Sequence, residues 1–252
     1  MAANCAMNEP DLLLDGRLKL LQARDGHRVG TDALLLAAAA PPENGLIVDA
    51  GAGVGAVGLI LAQDNPAAQV ALLEKSAAAA ALARENAALN ALAGRTRVVE
   101  ADLFDFSARK AAGLVETADL VVTNPPFLRA GEARVSPDAD RALAHVLDAG
   151  GIAKWLRACC ALLRPGGRLA LIHRADALAD LLAALEGRIG GLEIFPIFPK
   201  EGAAATRVLL RGKKGSRAPL QLLPGLVLHE ANGAFTQRAE TIHRQGGTLF
   251  PE

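Results

Sequence analysis

The chain has 252 residues, 51% of them hydrophobic, with 27 basic and 27 acidic side chains and a formal net charge of zero. That length buries a sizeable core in one domain with extensions, and the hydrophobic content excludes a disordered chain. Charge neutrality speaks against a protein that holds nucleic acid mainly through bulk charge, while leaving room for a local basic face.

Three cysteines, Cys5, Cys159 and Cys160, form neither a CxxC pair nor an even framework, so reduced thiols are expected. No basic segment followed by an apolar core opens the chain, and the apolar run 33–42 is far shorter than the ~20 residues of a membrane helix. These features predict a cytoplasmic protein with no membrane partner. Its oligomeric state, monomer or homodimer, is left open.

In chain order, Asp15-Gly16 and the leucines at 12–14, 18, 20 and 21 predict a hairpin packed on the main body. Thr31-Asp32 offers an N-cap to an apolar helix over 33–40, which Pro41-Pro42 ends. From residue 46 strands and helices alternate: strand 46–50, helix 55–62, strand 69–73, helix 76–92 and strand 96–101. An irregular stretch with Phe104 and Phe106 follows, then strand 118–123, helix 148–163, strand 168–173 after an Arg-Pro-Gly-Gly turn, and helix 176–186. Strands 192–198 and 205–211 close the series as a hairpin with a polar tip at Lys200-Glu201-Gly202. This alternation implies βαβ units and a largely parallel sheet covered on both faces. The expected division is a hairpin and helix over 1–45, a cofactor-binding domain over 46–212 and an extension over 213–252. The polar stretch 129–147 has no strong period and reads as a long loop, well placed for a substrate lid.

Two segments carry chemistry. The first is Asp49-Ala50-Gly51-Ala52-Gly53-Val54-Gly55, where a strand meets a helix. Glycines there let the backbone approach a ligand closely. Gly53-x-Gly55-x-x-Gly58 also fits the dinucleotide fingerprint, so a nicotinamide-dependent oxidoreductase stays open at this point. Asp49 weighs against it, because a carboxylate there suits an amino group and repels a pyrophosphate, whereas an acid at Glu74 fits either reading. Glu74, at the next strand end, can take both hydroxyls of a ribose, and Asp102 follows the third strand.

The second segment is Asn124-Pro125-Pro126-Phe127, directly after strand 118–123. The prolines fix φ and remove N–H donors, which makes a rigid lip with one amide and one ring exposed. Such a lip can hold a planar molecule bearing an amino group: the Asn124 side-chain carbonyl and the Pro125 backbone carbonyl accept its two N–H bonds, and the Phe127 ring stacks on it.

The two segments together resemble the class I S-adenosylmethionine-dependent methyltransferases that act on planar amino or amide nitrogens. Arg28-Val29-Gly30-Thr31-Asp32-Ala33, then DxGxGxG, an acid and NPPF resemble, in that order, the bacterial tRNA(Val) adenine-N6 methyltransferases. The resemblance covers roughly residues 12–211, including a final strand like Arg207-Val208-Leu209-Leu210. It implies an α/β Rossmann-like fold: a mostly parallel seven-stranded sheet with an antiparallel last strand, plus short extensions at both ends. It implies S-adenosylmethionine as cofactor and S-adenosylhomocysteine as product, held by Thr31, Asp32, Asp49, Gly51, Gly53, Gly55, Glu74, Asp102 and Asn124. In such enzymes the acid at the Asp102 position contacts the adenine amino group. The implied catalytic lip is Asn124, Pro125, Pro126 and Phe127, and the implied acceptor an adenine N6 in tRNA. Arginines 129, 134 and 141 in the lid, and a basic strip of Arg207, Arg211, Lys213, Lys214 and Arg217, offer contacts to RNA phosphates. The chain departs from the family by its segment 213–252, by Phe at a lip position that is often Tyr, and by its lack of strong positive charge. Methyltransferases of ribosomal RNA guanine-N2 or of a protein glutamine amide share this lip, and a cofactor-free RNA-binding module is a further alternative. No metal-ligand spacing is seen.

Overall fold

The computed structural model describes residues 9–23, 29–126 and 151–250. It opens on the expected hairpin, β1 (Asp11–Leu13) and β2 (Leu18–Leu20), which pair antiparallel. The hairpin docks through two asparagines one helical turn apart on α3 (Ala77–Leu89) and its C-cap: Asn86 Oδ1 accepts from Leu21 N–H at 2.7 Å, and Asn90 Oδ1 accepts from Lys19 N–H at 2.9 Å. Asn86 Nδ2 donates to Leu21 O and to Val54 O, both at 3.0 Å. One buried amide therefore ties the hairpin to the glycine loop.

Helix α1 (Thr31–Ala39) differs from expectation at its start. Gly30 is the cap residue and no side chain caps the helix. Thr31 and Asp32 stand instead in the first turn, where a carboxylate faces the positive end of the helix dipole.

The alternating series follows: β3 (Leu46–Ala50), α2 (Ala56–Asp64), β4 (Gln69–Glu74), α3, β5 (Thr96–Glu100), α4 (Phe106–Ala111) and β6 (Ala118–Thr123). After residue 150 come α5 (Gly151–Leu162), β7 (Leu163–Arg174), α6 (Leu178–Leu185), β8 (Ile189–Lys200) and β9 (Arg207–Lys214). The stretch after β5, expected to be irregular, holds α4 because Asp105 Oδ1 accepts the Ala108 N–H at 3.0 Å and caps it. The Arg-Pro-Gly-Gly turn proves to be an irregularity inside β7, where Leu163 pairs with Ala118 and Arg168 with Leu120.

The seven strands β3 to β9 lie in the order β8-β9-β7-β6-β3-β4-β5, and β9 runs antiparallel to both neighbours. The sheet is larger than the seven strands expected. Short β10 (Gln221–Leu222) and β11 (Leu226–His229) both pair in parallel with β8, making nine. They cover backbone groups that an edge strand would otherwise leave open. The C-terminal segment thus continues the sheet and ends in α7 (Gln237–Gln245).

Both faces are buried, which is why β3 and β4 read as nearly unbroken apolar runs. One face packs α1, α2 and α7 through side chains such as Leu35, Leu59 and Ile242. The other packs α5 and α6 through Leu156 and Leu181. Among the described residues no helix is long and apolar enough to cross a membrane. Cys159 and Cys160 are free and buried, and burial pushes both thiols up, Cys160 to about 11, which makes them poor nucleophiles. Cys5 lies outside the described residues.

Candidate active site

Parallel strands carry their C-terminal ends to one edge of the sheet, and that edge is where open α/β sheets bind ligands. Here it gathers the segments after β3, β4, β5 and β6. The loop after β3 is pinned from below: Gly51 N–H and Ala52 N–H both donate to Leu73 O, at 2.9 and 3.1 Å. Gly51, Gly53 and Gly55 have φ of 77°, 55° and 91°, a left-handed backbone that side chains disfavour. Gly51 is further constrained because a Cβ there would lie 2.8 Å from the Trp155 ring.

A pocket of about 230 Å³ opens at this edge. Its wall includes Gly51, Glu74, Asp102, Phe104, Asn124 and Trp155. Glu74 is built into the loop as well as facing the pocket: one carboxylate oxygen accepts from Gly53 N–H and the other from Ser76 N–H, each at 2.8 Å. Asp102 accepts the Phe104 N–H at 2.8 Å, which leaves its carboxylate further acceptor capacity. At the lip, Pro125 is buried and Asn124 half-buried. Asn124 Oδ1 is enclosed and has no hydrogen-bond partner among the described residues. An enclosed acceptor without a donor costs free energy, of order 1–3 kcal/mol, unless a ligand supplies one.

Asp49 sits differently from expectation. It is 2% exposed, and its carboxylate lies beneath the loop, accepting the Gly58 N–H in the first turn of α2 at 2.9 Å. It therefore fixes the loop and helix rather than standing in the pocket wall. Burial, chiefly, pushes its carboxyl up to about 7; the Glu74 charge adds to the shift and the Gly58 N–H opposes it. A carboxyl raised from its ordinary 3.8 holds its proton more tightly in the folded chain than in the unfolded one, so its contribution to stability falls as pH rises from about 4 to about 7. Asp49→Asn keeps an acceptor for Gly58 and removes the buried charge. The variant is expected to melt several degrees above the parent at pH ~8 and level with it at pH ~4. Melting curves at the two pH values check this, and an advantage that does not grow with pH contradicts it.

Thr31 and Asp32 are not part of the pocket wall among the described residues. Asp32 instead accepts from Arg207 Nε at 2.9 Å. Phe127 and arginines 129, 134 and 141 lie outside the described residues, as does Arg28.

Trp155 and Thr123 were not singled out from sequence. Trp155 Nε1 donates to Thr123 Oγ1 at 2.9 Å, and that hydroxyl donates to Ala50 O at 2.8 Å. This chain links α5, the strand that ends in the lip and the strand that ends in the glycine loop. Phe104 meets Trp155 edge to face at 6.0 Å, with Lys154 4.5 Å from the centre of the Phe104 ring. Trp155 is the chain's single tryptophan, the one available sequence signal, yet its place on an apolar helix face reads as core. Its emission is expected to change when S-adenosylhomocysteine binds. Trp155→Phe should abolish that change and cost about 1 kcal/mol in urea unfolding, because the Thr123 hydroxyl loses its donor. A cofactor titration monitored by fluorescence decides the first point, and an unresponsive parent protein contradicts it.

The donor set tests what the pocket holds. Gly53 N–H, at the loop where a pyrophosphate would lie, is taken by Glu74, and the Asp49 carboxylate lies beneath the same loop. Two carboxylates beside the loop repel a dianion there and suit a nucleoside that carries hydroxyls and a cationic amino-acid tail. The nicotinamide reading of the glycines fails on this ground.

Known proteins agree. Residues 23–187 match the methyltransferase small domain. A tRNA1(Val) (adenine(37)-N6)-methyltransferase of Aeromonas hydrophila is 34% identical over 215 residues, covering 84% of this chain and 86% of that enzyme. A release factor glutamine methyltransferase of Cereibacter sphaeroides is 35% identical over 62% of this chain and 57% of that enzyme. A crystal structure described as a predicted O-methyltransferase from Agrobacterium tumefaciens superposes with a TM-score of 0.72 and 35% identity, over 86% of this chain and 98% of that one.

Proposed function

Because the chain belongs to the methyltransferase small-domain family and to the tRNA1(Val) (adenine(37)-N6)-methyltransferases, we propose that it transfers the methyl group of S-adenosylmethionine to the exocyclic N6 of an adenine in tRNA. One observation carries the choice of nitrogen: the enclosed, unpartnered Asn124 Oδ1 at the pocket.

The bound cofactor supplies an activated methyl on a sulfonium whose leaving group is neutral. The protein's task is then to position the acceptor and stabilise the charge that develops on it. An aryl amine is too weakly acidic for a side chain to deprotonate beforehand. Asn124 Oδ1 and the Pro125 carbonyl accept the two N–H bonds and stabilise the positive charge as it forms on nitrogen. An amide oxygen cannot remove a proton from a hydroxyl, so the lip favours nitrogen over oxygen as the acceptor. Phe127 supplies the stacking ring in this reading, on sequence grounds alone.

Glu74 is assigned to the ribose hydroxyls, Asp102 to the adenine amino group, and Gly51, Gly53 and Gly55 to close backbone approach. Asp32 acts through its pair with Arg207, with Thr31 beside it in the first turn of α1, and Asp49 acts through the loop it holds.

The tRNA is proposed to contact the lid arginines, Arg129, Arg134 and Arg141, and the basic strip. Within the strip, Arg207 pairs with Asp32, Arg211 with Glu193 and Lys214 with Glu116. Lys213 and Arg217 have no ion pair among the described residues, so they are the strip's share of the RNA footprint.

A glutamine amide presents the same two N–H bonds and is the second reading, favoured by the release factor relative. The longer coverage of the tRNA relative supports RNA. The test offers both acceptors. Unmodified tRNA(Val) transcript and a release factor are mixed with methyl-labelled cofactor and enzyme. Label in the RNA is expected; label confined to the protein overturns the proposal.

A further inference from the structure

A second cleft, of about 450 Å³, lies on the α1 and α7 face at the opposite end of the sheet from Asn124. Arg168, Glu193, Arg211 and Lys213 supply its charged side chains, and Pro42 and Phe250 give it apolar walls. Its level in the sheet is fixed by register. Arg168 pairs with Leu120, near the start of β6, whereas Asn124 follows the end of that strand. The C-terminal segment completes the cleft with Ser216, Ala218, Thr248 and Phe250, all beyond the residues that match the methyltransferase small domain.

The charges here are not balanced as they are elsewhere on β9. Arg168 and Lys213 are register partners across β7 and β9 and so stand directly opposite each other on one face. Like charges in that position are destabilising. Arg168 is partly answered by Pro42 O at 2.7 Å and Glu43 at 2.8 Å, and Arg211 by Glu193. Lys213 has no such answer among the described residues. Its register partner on the other side, in β8, is Gly190, which has no side chain to offer. The gap is built in, because a Cβ at Gly190 would lie 2.1 Å from Ser216 O. Beside these cations, the planar Arg211 guanidinium covers the buried Phe250 ring, 3.8 Å from its centre.

We propose that this cleft binds a phosphoryl group carried on a flat, partly apolar body, that is, a nucleotide, either free or as part of an RNA strand. The phosphoryl oxygens sit between Lys213 and Arg168 and relieve their repulsion, and the base or sugar lies along the exposed Pro42 ring. Arginine and lysine together suit phosphate, since the one offers a planar fork and the other a point charge. The geometry is independent of the methyl-transfer site.

The test uses the full chain saturated with S-adenosylhomocysteine, so that the cofactor pocket does not compete. Calorimetry measures binding of uridine, uridine monophosphate and a short oligouridylate without terminal phosphates, to the parent, Lys213→Gln and Lys213→Arg. Uridine should bind much more weakly than the phosphorylated probes. Lys213→Gln should weaken those probes about tenfold, the scale of one charge-assisted hydrogen bond, and Lys213→Arg should restore most of the loss. Loss of monophosphate binding identifies a free nucleotide as the ligand; loss confined to the oligonucleotide identifies RNA. If no phosphorylated probe binds, or if Lys213→Gln leaves all binding unchanged, the inference is overturned. S-adenosylhomocysteine affinity, measured separately, should be equal in all three proteins. Its failure in the parent would count against the methyltransferase reading and not against this cleft.

Discussion

Asn124→Ala is expected to cut single-turnover methyl transfer by ~10²-fold or more, the scale seen when one pre-organised polar group is removed from a reacting centre. Affinity for S-adenosylhomocysteine should be nearly unchanged. The reasoning begins at β6, whose end sets Asn124 on the pocket wall while Pro125 and Pro126 stiffen the turn that follows. Below it, Thr123 is locked to Ala50 O and to Trp155 Nε1, so the lip cannot drift relative to the glycine loop. What remains is an enclosed amide oxygen with no donor among the described residues. In the free protein that atom is a liability, and truncating it to alanine should leave the melting temperature level or raise it slightly. A structural asparagine would behave the other way, losing stability with little change in rate. Quench-flow on enzyme in excess over RNA separates the two, and transfer at the parent rate sinks the role assigned to Asn124.

Glu74→Ala should weaken S-adenosylhomocysteine binding by about 1–3 kcal/mol, roughly five- to 150-fold, because a carboxylate facing hydroxyls makes charge-assisted hydrogen bonds. Glu74 also accepts from Gly53 and Ser76, so the alanine variant loosens the loop and the start of α3 at the same time. Glu74→Gln distinguishes these contributions. It retains one acceptor for the loop but loses the charge and one of the two acceptors proposed for the ribose. The glutamine variant should keep most of the unfolding stability while losing much of the cofactor affinity. Calorimetry beside thermal melts reads both quantities. Intact affinity in Glu74→Ala removes Glu74 from the cofactor site.

Much of this arrangement is legible in the sequence, because its signals are local. The alternation of strand and helix, the hairpin turning at Gly202, and the acid-glycine loop each follow from patterns within a few residues. Asp49 lies beneath the loop rather than in the pocket wall for a physical reason. A strand covered on both faces sends every side chain into packing, and Asp49 points toward α2, where its carboxylate accepts the Gly58 N–H at 2.9 Å. Its proximity to the loop in sequence therefore said nothing about access to a ligand. Trp155 and Thr123 act through a hydrogen-bond chain across α5, β6 and β3, and no spacing within one element encodes such a contact. Asn86 and Asn90 are an intermediate case: two amides one turn apart in an alanine-rich helix mark a face that needs hydrogen bonds, but not which segment supplies them. β10 and β11, with two and four residues, are too short to show a period, and they form because β8 offers an open edge.

The most direct test is chemical. Unmodified tRNA(Val) transcript is incubated with the enzyme and S-adenosylmethionine, digested to nucleosides and fragments, and analysed by mass. The account predicts N6-methyladenosine in the transcript, confined to a single adenine and absent when Asn124→Ala replaces the parent enzyme over the same short time. Methyl found on a ribose hydroxyl or on guanine, or an unmethylated transcript with a fully folded, cofactor-bound enzyme, contradicts it.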